Sequence, residues 1–121
     1  MQLEEMLKRL KEIQRGSVIY TTRYKRKYKF VCLSQFKNEE AIEYSIPHRD
    51  DDGFETKKIR TNHILKALNI LLKEGSIQKG DLKGNDCSNY CNFCALGGML
   101  EKVDKKKFSK KHGKISINKN E

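Results

Sequence analysis

Cys87, Cys91 and Cys94, in the run Cys-Ser-Asn-Tyr-Cys-Asn-Phe-Cys, put three thiols at spacings of four and three residues. Cysteines so placed can hold a soft metal, act as redox thiols, or fill an apolar face as small hydrophobes. Structural zinc gathers four N or S donors at ~2.3 Å from sulfur, and Cys32, His63 or His112 is available as the fourth. Backbone geometry separates these chemistries. On one continuous helix, Cys87 and Cys94 stand roughly 10 Å apart along the axis, because each residue rises ~1.5 Å. A helix therefore excludes a shared ion, whereas a loop permits zinc or an iron–sulfur cluster. Helical spacing i, i+4, i+7 also makes a single buried stripe, and packing is the reading favoured here. Redox sensing would need an exposed thiol beside a cation, and none adjoins the triplet in sequence.

With Phe93 directly before the last cysteine, the Cys-x3-Cys-x2-Cys spacing resembles the cluster loop of radical S-adenosylmethionine enzymes. The resemblance implies that Cys87, Cys91 and Cys94 hold a four-iron cluster whose fourth iron binds the cofactor. Only 27 residues follow Cys94, too few for the strand–helix repeats of such a barrel, so this chemistry is not expected. Asp50, Asp51 and Asp52, followed by Glu55 and Lys57, are similar to the carboxylate and Glu-x-Lys arrangement of metal-dependent nucleases. These acids crowd Glu55, and a solvated hairpin turn accounts for them. His48, His63 and His112 are isolated in sequence, with His63 expected to cap a helix or lie on the surface. A catalytic centre is not expected.

Charge supplies the stronger functional signal. The net formal charge of +10 is concentrated in two segments. Residues 23–29 carry Arg23, Lys25, Arg26, Lys27 and Lys29 with no acid, and residues 101–121 carry eight lysines against three acids. Two concentrated basic patches are the electrostatic footprint of a phosphate-bearing partner. A lysine-rich composition from an AT-rich genome would place charge without such a partner. The N-terminus, Met-Gln-Leu-Glu-Glu-Met-Leu-Lys-Arg-Leu, lacks the apolar run of a leader or membrane span, which points to a cytoplasmic protein with no membrane partner.

Elements that must position these residues follow from periodicity. Leu3, Met6, Leu7, Leu10 and Ile13 predict a helix over 2–15, stopped by Gly16. Val18–Thr22, Lys27–Ser34, Ala41–Ile46 and Phe54–Ile59 read as strands, with a turn at residues 50–53. Tyr20, Tyr24, Tyr28 and Phe30 share one parity, and Arg23, Lys25, Lys27 and Lys29 share the other. Such interleaving suits base stacking with phosphate pairing, and equally suits aromatics facing a core with lysines outward. Thr61 is a plausible N-cap for a helix bearing Ile64, Leu65, Leu68, Leu71 and Leu72, ended by Gly75. A short second helix near 79–82, a third over Cys87 to about Leu96, and a lysine-rich hairpin ending in Ile115-Ser116-Ile117 complete the chain.

That order over residues 61–117 resembles a winged helix-turn-helix domain. The resemblance implies a third helix in the DNA groove and a wing along the backbone. It would implicate Ser88, Asn89 and Asn92 on the helix, and Lys102, Lys105, Lys106, Lys107, Lys110, Lys111 and Lys114 around the wing. The third helix carries no arginine or lysine from Asp86 to Leu100, which disfavours bidentate base reading. The sequence therefore predicts an α+β protein: an N-terminal helix, a small antiparallel sheet over 1–60, and a winged-helix-like half. Its expected role is non-catalytic nucleic-acid binding, DNA before RNA, by phosphate contacts of hairpin and wing. The alternatives are a module for an acidic protein partner, and a zinc or iron–sulfur protein using Cys87, Cys91 and Cys94.

Overall fold

The computed structural model describes residues 2–20, 27–48, 50–111 and 113–118. The fold is α+β, an N-terminal helix followed by antiparallel sheets. Helix α1 covers Leu3–Lys11 and buries Met6 and Leu10, one turn apart. It is shorter than its apolar spacing suggests because the chain leaves at Glu12 to join the sheet. There Gly16 N donates to Phe30 O at 2.7 Å and Phe30 N donates to Ser17 O at 3.0 Å. Gly16 itself has φ +82°, a conformation glycine adopts without steric cost.

Strands β1 (Val18–Tyr20), β2 (Lys27–Phe36), β3 (Glu39–Pro47) and β4 (Phe54–Arg60) form an antiparallel meander in sequence order. Side chains alternate across it. Tyr28, Phe30, Ile42, Tyr44, Ile46 and Ile59 are buried on one face, while Lys27 and Lys29 are exposed on the other. For Tyr28 and Phe30, core packing is thus the outcome of the aromatic–cationic alternation. Tyr28 stacks on Tyr44 with ring centroids 5.5 Å apart.

Helix α2 (Thr61–Glu74) buries Ile64, Ala67, Leu68 and Leu71 and ends at Gly75, whose φ is +83°. Thr61 is not its N-cap. Arg60 holds that position, and the Thr61 hydroxyl instead bonds Glu40, 3.0 Å from Oε1. Strand β5 (Ser76–Gln78) and two 3-10 turns, Lys79–Leu82 and Asp86–Ser88, lead to helix α3 (Tyr90–Val103). Strands β6 (Phe108–Lys111) and β7 (Lys114–Ile117) then form a hairpin, and the second sheet has the order β5-β7-β6.

The third helix starts later and runs further than expected. Asn89 caps it, its Oδ1 accepting from Cys91 N at 2.9 Å and Asn92 N at 3.3 Å. The helix continues through Gly97 and Gly98 because tertiary packing outweighs their low propensity. A Cβ at Gly97 would overlap the Lys110 side chain of β6, so the glycine is what lets that strand approach. From Phe93 to Leu100 every α3 residue is buried, and the buried apolar residues of both sheets and all three helices form one cluster.

Candidate nucleic-acid interface

The three thiols sit on two elements. Cys87 lies in the 3-10 turn before α3 and Cys94 within it; both are buried, and Cys91 is half-buried. The expected helical stripe is therefore corrected: Cys87 is off the helix, although it reaches the same core. Burial pushes the Cys87 thiol above its ordinary range, which disfavours a free thiolate there. Among the described residues, no group of three or more His, Cys, Asp or Glu side chains is placed to hold a metal ion. His112, one of the candidate fourth ligands, lies outside the described residues, as do Arg23, Lys25 and Arg26.

The junction between β4, α2 and α3 is held by an ion-pair network rather than by a catalytic cluster. Arg60 Nη2 donates to Asp86 Oδ1 and Arg60 Nε to Asp86 Oδ2, both at 2.9 Å, while Arg60 Nη1 reaches Glu39 Oε2 at 3.0 Å. This bidentate fork holds the Asp86 carboxyl below its usual range. His63, expected as a cap or surface residue, is largely buried, and its Nδ1 accepts from Asp86 N at 2.8 Å. These groups satisfy one another and orient the turn preceding α3.

The third helix does not present its expected reading face. Asn92 is only 8 % exposed. Its Oδ1 accepts from Tyr44 Oη at 2.6 Å and its Nδ2 donates to Asp86 O at 3.0 Å, so its amide is held within the fold. Lys110, at 4 % exposure, is likewise withdrawn from the surface, its backbone N–H donating to Glu101 Oε1 at 3.0 Å. Ser88 is half-buried and Asn89 is exposed. Those two border an open cleft of about 720 Å³ together with Lys37, Lys57 and Lys58. Lys37 and Lys58 were missed in the sequence, and Lys57 was weighed only beside Glu55, because all three lie outside the charge-dense runs and Lys37 joins the other two only in the fold.

Around the second hairpin the expected cations are exposed at Lys102, Lys105, Lys106, Lys111 and Lys114, with Lys107 half-buried and lying 5.8 Å from the Phe108 ring centre. The turn ahead of β6 is fixed by side chains. Asp104 Oδ1 accepts from Lys106 N at 3.2 Å and Lys107 N at 3.1 Å, and Asn118 Nδ2 donates to Lys106 O at 3.0 Å. Lys111 and Lys114 are direct cross-strand partners. Comparison with family models, curated proteins and solved structures returned no match.

Proposed function

We propose that this protein binds nucleic acid without catalysis, duplex DNA in the first instance, as a small cytoplasmic regulator or accessory factor. The observation that carries the reading is the Lys111–Lys114 pair. Like charges directly opposite on a hairpin oppose folding, and neither lysine has an ion-pair partner among the described residues, whereas Arg9, Lys11, Lys58 and Arg60 all do. An external polyanion relieves that repulsion. Lys105 and Lys106, on a turn held by Asp104 and Asn118, add exposed cations ahead of β6, at the other end of the strand.

The order of α2, β5, 3-10 turns, α3 and the β6–β7 hairpin supports the resemblance to a winged helix-turn-helix domain. Burial of α3 points to a different division of labour. Phosphate neutralisation by the hairpin supplies affinity, and base reading by α3 contributes little. A mobility-shift titration of the full chain on a short duplex tests this. Affinity should fall with salt, by about 0.9 log units per neutralised phosphate per log unit of salt. Lys111→Glu combined with Lys114→Glu should lower both affinity and slope. Absence of binding at low salt, or unchanged binding by the double variant, would overturn the proposal.

A further inference from the structure

The first sheet has a solvent face whose chemistry differs from that of the wing. Val18, Lys29, Ser45 and Thr56 form one register row across all four strands, and Pro47 pairs with Phe54 in the next row. Phe54 is 66 % exposed, the more open of the two large apolar side chains on the described surface. Between these rows lies a shallow groove of about 530 Å³, bordered by Arg15, Lys27, Lys29, Pro47 and Phe54. Lys27, Lys29 and Arg15 are exposed and have no ion pair among the described residues.

We infer that this face binds single-stranded nucleic acid, with a base stacked on Phe54 and the phosphate backbone over Lys27 and Lys29. The inference rests on the nucleic-acid reading above and specifies a strand form and a second site. A ring standing on a flat sheet can stack only on an unpaired base, because paired bases hide their faces within the duplex. Charge complementarity sets the direction. The cations line the α1–β2 side, whereas Asp52 borders the groove near Phe54. The remaining acid of the groove, Glu43, stands 3.8 Å from Lys58. Phosphates are thus attracted to the lysines, and a base lies at the acid's end, where a carboxylate can accept from an exocyclic amine. Strands β2 and β4 are two sheet spacings apart, roughly 10 Å, which leaves room for a nucleotide between ring and lysines.

Fluorescence anisotropy with the full chain, using a labelled oligodeoxycytidylate and a duplex of equal length, tests the site. Phe54→Ala should weaken single-strand binding about ten-fold while leaving duplex binding unchanged, and Phe54→Trp should retain it. Lys27→Glu with Lys29→Glu should weaken single-strand binding further and flatten its salt dependence. Circular dichroism verifies that the surface variants fold. Single-strand affinity within two-fold of wild type in Phe54→Ala, or an equal loss on duplex, would overturn the inference. Duplex binding without single-strand binding overturns this site alone, and no binding to either overturns the proposed function with it.

Discussion

Tyr44 on the central strand β3 donates its hydroxyl to Asn92 of α3 at 2.6 Å, 48 residues away in the chain. Both groups are withdrawn from water, and burial, with Cys91 the next contributor, pushes the phenol far above its ordinary range. The bond joins the first sheet to the helix beneath it and holds the Asn92 amide inside the fold.

Tyr44→Phe should destabilise the fold by about 1–3 kcal/mol, because the Asn92 oxygen then stays buried without its donor. Urea unfolding followed by circular dichroism measures this as a lower midpoint with an unchanged slope.

Acid should act through Asp86. Its folded carboxyl titrates below the ordinary value of 3.8 because Arg60 bonds the ionised form. The stabilisation is fully present above that ordinary value and is lost as pH falls through the lower folded value. Thermal melts from pH 6 to pH 2 should show Asp86→Asn less stable at pH 6, with the difference from wild type shrinking below about pH 4.

Gly97→Ala should cost about 1–3 kcal/mol, since the new methyl group meets the Lys110 side chain across the α3–β6 contact. Lys110→Ala in the same molecule should recover much of that loss. A double-mutant cycle with a coupling of about 1 kcal/mol is the expected result.

Thiol reactivity should divide the four cysteines. Cys32 and Cys91, both half-buried, should react with an aromatic disulfide reagent in the native protein well before the buried Cys87 and Cys94. In denaturant all four should react at similar rates. Mass spectrometry of native aliquots labelled over time identifies the order.

Much of the architecture was legible because period carries it. The alternation of Ile42, Tyr44 and Ile46 with Glu43 and Ser45 and the i, i+3, i+4 spacing of Ile64, Ala67 and Leu68 are local signals. The start of α3 was not, since Asn89 outcompetes Asp86 and Cys87 as a cap only once the 3-10 turn is formed. The site was legible as charge but not as placement. Lys105 and Lys106 are exposed as their density suggested, yet Lys110 in the same run is buried, because a glycine thirteen residues earlier accommodates it. Arg60, Asp86 and His63 meet only through long-range folding, which no spacing announces.

Helix α3 packs against β1 and β4 of the first sheet and against β6 of the second. A fragment comprising only residues 61–117 would keep the wing while losing the strands packed on α3 and the Tyr44 partner of Asn92. The hairpin cannot be borrowed as a portable module. Residues before position 60 cover the helix, so a thermal melt of the full chain should show both charged surfaces lost in one transition.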